Sequence, residues 1–193
     1  MKVLETDFDN FDKSVINEAI EVMANGGVIL YPTDTVYGLG ANIFNKLAVK
    51  KIYNIKNRSP SKPLSILVSS KEAINLVANV RLRDKPYINK YLPGPSTLIF
   101  KKTPIVSRTV TGGDKNVGIR IPDCEIASSL ASVFPIITTS ANLSNDKTLN
   151  SPDKILKQLS GDVDLIIDVG PLDGGNPSTI IDLTVDEPTF LKR

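Results

Sequence analysis

Residues 26–40 read GGVILYPTDTVYGLG, and this stretch decides the fold. Residues 28–31 are apolar or aromatic, which predicts a short buried strand. Pro32 lacks a backbone N–H, so the strand should end there. Polar side chains follow, and Gly38 and Gly40 predict a backbone with positive φ or one that a ligand approaches closely. A strand that runs into such a loop is typical of sites at the carboxyl edge of an α/β sheet, although an ordinary turn has the same composition.

The length and composition of the chain predict a single globular domain over residues 1–193. The chain has 193 residues, and 41% of them are hydrophobic, an ordinary fraction for a globular protein. No apolar run approaches the roughly 18 residues of a membrane-spanning helix. Acidic residues occur near the N-terminus, where a signal peptide needs an apolar core. These observations predict a cytoplasmic protein with no membrane partner.

Charge and the rare residue types restrict the chemistry. A net charge of +2 does not by itself indicate nucleic-acid binding. The chain has no histidine, which excludes Ser-His-Asp and Cys-His catalysis and removes the commonest zinc ligand. Its one cysteine, Cys124, cannot form an internal disulfide and is predicted to be a packed thiol. The remaining candidates are carboxylates, Lys, Arg, hydroxyls and a bound Mg²⁺.

The hydrophobic periodicity predicts helices and strands along the whole chain. The predicted helices span about 12–25, 46–57, 71–78, 82–92, 124–133 and 152–159. The predicted strands span 28–31, 64–68, 97–101, 117–121, 135–139, 163–169, 179–183 and about 189–192. Some strands are joined by helices and others by turns, which predicts an α/β fold with a mixed parallel and antiparallel sheet flanked by helices. Residues 111–116 lack the spacing of a phosphate-binding loop and precede no helix, so we interpret them as a turn.

Polar side chains follow three of the predicted strands, and cations follow the second helix. The strand-end groups are Thr33 and Thr35, Ser140 and Asn142, and Ser178 and Thr179; the cations are Lys56, Arg58 and Lys62. If the strands are neighbours, these groups converge on one cleft, where cations neutralise phosphates and hydroxyls bind a small polar ligand. Arg120 lies within an apolar strand and points either to solvent or into a pocket, where it could hold a carboxylate. The pattern indicates nucleotidyl or phosphoryl transfer without a covalent nucleophile.

Six ordered motifs show that the chain resembles the Sua5/YrdC/YciO family, most closely its L-threonylcarbamoyladenylate synthase branch. They begin at Tyr31 (YPTDTVYGL), Lys56 (KNR, then KPLSIL from Lys62), Pro93 (PGPST), Val117 (VGIRIP), Thr139 (TSAN) and Pro177 (PSTIID). The pair Lys-x-Arg and Ser-x-Asn is the signature of this family. The resemblance covers almost the whole chain and implies a YrdC-like domain with a twisted mixed sheet, a concave basic cleft and no C-terminal Sua5 domain.

The resemblance implies that L-threonine, bicarbonate or CO₂, and ATP give threonylcarbamoyl-AMP and pyrophosphate. The product supplies the threonylcarbamoyl group of N6-threonylcarbamoyladenosine at position 37 of tRNAs. Carried over by motif, Thr35, Arg120, Ser140 and Ser178 would bind threonine or its carbamate, while Lys56, Arg58, Lys62, Asn142 and Arg193 would bind ATP, with Lys56 and Arg58 as the catalytic pair. Mg²⁺ is expected with ATP, held mainly by the phosphates rather than by the chain. Candidate partners are tRNA and the proteins that transfer the group to it.

The chain departs from the family pattern at a few positions. Ser59 stands where the family usually has Pro, and Asn145 stands where Gly is common. The chain stops at Arg193, whereas many members continue. Asp34 is a candidate base at first sight, but an anionic carbamate needs no base for adenylation, so we interpret Asp34 as a residue that holds its turn.

Two other functions stay open at this point. One is a module of the same fold that binds tRNA or double-stranded RNA on a basic face, although no aromatic stacking motif is present. The other is a YciO-like paralogue with divergent activity. Ser140-Ala141-Asn142 favours the synthase, because the YciO branch generally departs from this signature.

Overall fold

The computed structural model of the chain describes residues 1–173 and 178–191, which form one α/β sheet with helices packed against it. The strands are β1 (Lys2–Glu5), β2 (Ile29–Tyr31), β3 (Gly38–Gly40), β4 (Ser65–Leu67), β5 (Ala78–Asn79), β6 (Ser96–Lys102), β7 (Asn116–Arg120), β8 (Ile136–Ser140), β9 (Leu165–Asp168), β10 (Thr179–Asp182) and β11 (Thr189–Leu191). The helices are α1 (Lys13–Ala24), α2 (Lys46–Ile55), α3 (Ile74–Val77), α4 (Lys85–Tyr91), α5 (Glu125–Leu130) and α6 (Pro152–Gln158). Every predicted helix and strand has a counterpart among these elements.

The sheet is mixed, as the sequence predicted. Its strand order is β1-β9-β2-β3-β8-β4-β7-β6-β10-β11, and β5 pairs with β6 beside this path. The pairs β1–β9, β2–β9, β4–β7 and β6–β10 are parallel, and the other pairs are antiparallel. Strand β8 joins the two halves, because residues 139–140 pair with β3 and residues 136–138 pair with β4.

Local sequence explains where the two longest helices begin. The Asp12 carboxylate accepts a hydrogen bond from the Ser14 N–H at the start of α1, 2.8 Å away. The Asn45 side chain accepts from the N–H groups of Leu47 and Ala48 at the start of α2. These caps satisfy donors that have no partner inside the helix. Both helices bury the apolar face that their periodicity predicted.

Residues 38–40 form strand β3. The prediction that the loop continues to Gly40 is therefore wrong, because the loop ends before Gly38. Strand β3 pairs antiparallel with β2, which places Tyr31 opposite Gly38. A Cβ on Gly40 would lie 2.9 Å from the Tyr31 ring, and one on Gly38 would lie 3.2 Å from it. Neither glycine has a positive φ. The close approach that these glycines permit is therefore that of a tyrosine ring in the same hairpin.

Three further segments differ from the sequence-based expectation. Strands β1 and β5 were not predicted, since β1 is an exposed edge strand and β5 has only two residues. The predicted helix over 82–92 is a 3₁₀ turn, Leu82–Asp84, followed by α4. Pro86 lies in the first turn of α4, where its missing N–H breaks no intrahelical hydrogen bond.

The sheet has a hydrophobic cluster on each face. In β2, Leu30 belongs to the larger cluster, while Ile29 and Tyr31 belong to the smaller one beneath α1 and α5. Alternation along the strand produces this division. None of the described helices is long and apolar enough to cross a membrane.

Candidate functional site

A small polar pocket opens where the β2–β3 loop meets strands β4, β6, β7 and β8. Its empty volume, including the mouth, is about 390 Å³. It is lined by Thr33, Thr35, Val36, Tyr37, Gly38, Ser65, Thr97, Arg120, Thr138, Thr139, Ser140 and Ser178. Eight of these twelve residues are Ser or Thr, and of the described lining residues Arg120 alone is charged. The pocket can therefore offer many hydroxyl hydrogen bonds and one guanidinium to a small ligand.

Pairs of hydroxyls fix the walls of the pocket. The Thr33 hydroxyl donates to the Val36 carbonyl at 2.7 Å and lies 3.1 Å from the Thr35 hydroxyl. On the opposite wall, the hydroxyls of Thr97 and Ser178 lie 2.9 Å apart. The contacts of Thr33 lie within its own loop, whereas the contact between Thr97 and Ser178 joins segments 81 residues apart, so this wall of the pocket exists only in the folded sheet.

Arg120 is buried in the pocket wall, which decides between the two orientations that the sequence allowed. The residue is 8% exposed. Its Nη2 donates to the Thr35 hydroxyl at 2.7 Å and to the Asp34 carboxylate. The second Asp34 oxygen accepts the Asp123 N–H at 3.1 Å. Asp34 thus does more than hold its own turn, because it forms a buried ion pair with a residue of strand β7.

Tyr37 connects the β2–β3 loop to the end of strand β9. Its hydroxyl donates to the Gly170 carbonyl at 2.8 Å and accepts from the Val169 N–H at 3.0 Å. Burial raises the pKa of Tyr37 to about 12. The phenol therefore stays protonated at neutral pH and can donate, which fixes one wall of the pocket against the segment that leads towards Ser178.

Replacing Tyr37 with Phe is expected to lower the free energy of unfolding by about 1–3 kcal/mol, because it leaves the Val169 N–H and the Gly170 carbonyl without this partner. Chemical denaturation measures the change. The matched control is Tyr91→Phe, since the Tyr91 hydroxyl makes no hydrogen bond within the described residues. Equal stability of the two variants would contradict the role of Tyr37.

The Lys56 ammonium lies beside the pocket and binds the Ser140–Asn142 turn. Lys56 is 2% exposed, and its Nζ donates to the carbonyls of Ser140 and Asn142, the latter at 2.7 Å. The Ser140 hydroxyl donates to the Asn142 side-chain oxygen at 2.6 Å. The Asn142 amide donates in turn to the carbonyls of Leu143 and Asp146. The two halves of the family signature are therefore in direct contact.

The loop that carries Arg58 and Lys62 is braced by its own carbonyls. Arg58 donates to the Pro63 carbonyl at 2.8 Å and to the Lys62 carbonyl at 3.4 Å. Desolvation lowers the pKa of Arg58, an effect that the neighbouring Tyr53 opposes. The Tyr53 hydroxyl donates to the carbonyls of Lys62 and Thr109. The Lys62 ammonium reaches the Asn145 side chain at 3.3 Å.

The structure brings some of the candidate residues into one pocket and leaves others on a neighbouring loop. Thr35, Arg120, Ser140 and Ser178 line one pocket. Lys56 and Asn142 adjoin it through Ser140, whereas Arg58 and Lys62 lie on the neighbouring loop and do not line it. Arg193 lies outside the described residues. The roles assigned to these nine residues stay predictions.

Sequence reasoning did not select several of the pocket residues. Ser65, Thr97 and Thr138 line it, and Tyr31 donates to the Thr138 hydroxyl at 2.8 Å. Ser65 and Thr97 were visible only as members of longer motifs. Thr138 was hidden within an apolar strand, and only the pairing of β8 with its neighbours shows which face it occupies.

The fold and the pocket together define a class: an α/β protein with a mixed sheet and a small, hydroxyl-lined pocket that contains one arginine. The profile of the Sua5/YciO/YrdC family, described as "Telomere recombination", matches residues 21–193. The chain belongs to this family.

Three similar proteins show the range of the family. A Methanocaldococcus jannaschii protein, provisionally named threonylcarbamoyl-AMP synthase, is 42% identical over 91% of this chain and 83% of its own. Sua5 from Pyrococcus abyssi, solved in complex with L-threonine, has a TM-score of 0.92 and 33% identity over 100% of this chain. The match covers 57% of that Sua5 chain, so the present chain spans just over half of its length. Escherichia coli YciO has a TM-score of 0.87 and 31% identity, covering 99% and 93% of the two chains.

Proposed function

We propose that this protein is an enzyme, an L-threonylcarbamoyladenylate synthase, which converts L-threonine, bicarbonate or CO₂, and ATP into threonylcarbamoyl-AMP and pyrophosphate. This is the first step in the synthesis of N6-threonylcarbamoyladenosine in tRNA. One observation carries the proposal: the four residues assigned to threonine and its carbamate line a single pocket. Relatives named threonylcarbamoyl-AMP synthase and the threonine complex of a relative support it.

The pocket suits the amino-acid half of the reaction. The Arg120 guanidinium would bind the threonine carboxylate, and the hydroxyls of Thr35, Ser140 and Ser178 would bind the polar groups of threonine or its carbamate. The threonine amine attacks the carbon of CO₂, and loss of its proton gives the carbamate. Because a carbamate is labile in water, the proposal expects the pocket to exclude bulk water once its ligands are bound.

The cation loop suits the nucleotide half of the reaction. A carbamate oxygen attacks the α-phosphorus of ATP, the bond from that phosphorus to the bridging oxygen breaks, and pyrophosphate leaves. In this proposal Arg58 and Lys62 stabilise the charge that develops on the leaving group. Lys56, whose ammonium holds the Ser140–Asn142 turn, fixes the boundary between the two halves. Attack by the carbamate itself makes this a nucleotidyl transfer without a covalent enzyme intermediate.

Mg²⁺ enters the proposal as part of the substrate MgATP. Among residues 1–173 and 178–191, no group of three or more His, Cys, Asp or Glu side chains is placed to hold a metal ion.

An assay with the purified protein tests the function. We expect release of pyrophosphate and formation of threonylcarbamoyl-AMP only when threonine, bicarbonate and MgATP are all present. Absence of the adenylate under these conditions would exclude the synthase and favour the YciO-like alternative. Salt-sensitive binding of tRNA without turnover would instead favour the RNA-binding module. The cytoplasmic location, tRNA as a partner and binding of the transfer proteins stay predictions.

Replacing Thr35 with Val is expected to raise the KM for threonine about tenfold, or ~1.4 kcal/mol, because it removes a hydroxyl that faces the pocket and accepts from Arg120. The KM for ATP should change much less. Thr103→Val is the matched control, since its hydroxyl donates to the Leu76 carbonyl away from the pocket. An equal increase in both KM values would show that Thr35 has only a structural role.

A further inference from the structure

Asp34 has no assigned part in the proposed reaction, yet it is the closest carboxylate to the pocket's arginine. It does not line the pocket itself but forms an ion pair with Arg120, which does. The exposed fractions of the Arg120 and Asp34 side chains are 9% and 10%. An ion pair this deeply buried costs desolvation on both sides, and such pairs are often retained because they specify an arrangement.

The contacts of Asp34 engage both of its carboxylate oxygens. Oδ1 accepts from Arg120 Nη2, and Oδ2 accepts the Asp123 N–H at 3.1 Å. Each carboxylate oxygen therefore already has a donor, one from strand β7 and one from the segment that follows it. These two contacts hold the negative charge of Asp34 at a fixed position beside Arg120.

The Arg120 guanidinium retains donors for a ligand. Nη2 is occupied by Asp34 and the Thr35 hydroxyl. A guanidinium has five N–H groups, so three remain. One of them, on Nε, is buried without a hydrogen-bond partner within the described residues. A buried donor without a partner is costly. Because Nε is closed to solvent, the two N–H groups of Nη1 are the donors left for a ligand.

The charge balance next to Arg120 follows from this pair, since the Lys56 ammonium lies at the other side of Ser140, whose carbonyl it binds. Arg120 is the one charged residue among its described lining, and Asp34 offsets that charge at contact distance. A carboxylate group brings one negative charge to this nearly neutral pair, and in threonine carbamate the second charge lies on a separate group. A doubly charged phosphate meets the additional repulsion of Asp34, which a low effective dielectric makes strong.

We propose that Asp34 is a selectivity residue: it positions Arg120 for the carboxylate of an amino acid and keeps oxyanion groups that carry two charges on one centre, such as the phosphate groups of the nucleotide, away from this guanidinium. This inference rests on the proposed function and deepens it. It explains how two anionic substrates that meet in one cleft are directed to different ends of it.

The test is a comparison of Asp34→Asn and Asp34→Glu with the wild-type protein. Steady-state rates are measured at saturating MgATP and constant ionic strength, with threonine varied and sodium sulfate as a competing dianion. The readout is the ratio of the sulfate inhibition constant, for inhibition competitive with threonine, to the KM for threonine. A constant ionic strength is needed because salt screens charge.

Asp34→Asn should lower this ratio at least tenfold, because it removes the charge and keeps the size of the side chain. Asp34→Glu should keep the ratio within about twofold of wild type, even though the longer side chain displaces Arg120 and raises the KM for threonine. If Asp34→Asn does not fold, Asp34→Ser supplies the neutral substitution. A general structural defect would change the rates without a preference for the dianion.

The matched control is Asp164→Asn. Asp164 also accepts from a cation, the Lys51 ammonium at 2.7 Å, and from a backbone N–H, that of Val28 at 2.7 Å, but it does not line the pocket. Its variant should keep the wild-type ratio. An unchanged ratio in Asp34→Asn, with the wild-type protein active, overturns the selectivity role alone. A wild-type protein that forms no adenylate overturns the proposed function and this inference together.

Discussion

Replacing Arg120 with Ala is expected to lower the free energy of unfolding by about 3–5 kcal/mol and to abolish saturable use of threonine. The stability loss arises because Asp34 would remain buried with its charge uncompensated. The loss of binding arises because Arg120 is the one charged residue among the described pocket lining. Denaturant unfolding measures the first effect, and steady-state kinetics or calorimetric titration of threonine measures the second.

A second substitution separates these two effects. In the Arg120→Ala background, Asp34→Asn should recover part of the lost stability, because it removes the orphaned charge. It should not recover threonine binding, since the guanidinium is still missing. Arg120→Lys should be more stable than Arg120→Ala but still bind threonine poorly, because an ammonium lacks the planar fork. If Arg120→Ala keeps the wild-type KM for threonine, the pocket is not the threonine site.

Replacing Arg58 with Ala is expected to reduce kcat/KM for ATP roughly 30- to 900-fold. This decrease corresponds to a loss of about 2–4 kcal/mol of transition-state stabilisation. In the proposed reaction Arg58 meets the charge that develops on pyrophosphate, and its guanidinium is held ready by the Pro63 carbonyl. Desolvation has already lowered the pKa of Arg58, so part of its hydration is lost before ATP binds. The KM for threonine should change little, because Arg58 does not line the pocket.

Arg83→Ala is the matched control for Arg58. Arg83 also donates to a backbone carbonyl at 2.8 Å, that of Val185, at the turn between strands β10 and β11. Its loss should leave kcat/KM for ATP within about twofold of wild type, as expected for a surface residue. If Arg58→Ala and Arg83→Ala lose activity equally, Arg58 supports the fold rather than the transfer of the nucleotidyl group.

The sequence predicted most of this fold because most elements carry their own pattern. Helix α2 has a cap at Asn45 and an apolar stripe, and β2 is a short apolar run that Pro32 ends. Strand β1 has no such pattern, because it lies at the exposed edge of the sheet. Strand β3 contradicts strand propensity outright. Its glycines make sense only beside the Tyr31 ring, which sequence reading does not place there.

The same distinction applies to the site. Residues that end strands and carry hydroxyls were recognisable locally, so Thr35, Ser140 and Ser178 could be proposed from the sequence. The partner of Asp34 could not, because Arg120 is separated from it by 86 residues and is brought there by the sheet. Thr138, which lines the pocket from strand β8, was missed for the same reason. Contacts between distant strands follow from register, and register is a property of the whole sheet.

The position of strand β8 between the two halves of the sheet affects when the pocket forms during folding. Within the described sheet its backbone pairs both with β3, beside the loop that carries Thr35 and Tyr37, and with β4, in the half that carries Thr97 and Arg120. A folding intermediate in which only one half is formed would have no binding site, so the pocket should mature late, after contacts of long sequence separation have closed. A bound amino acid would contact residues from both halves at once, and by binding only the folded state it would raise the free energy of unfolding.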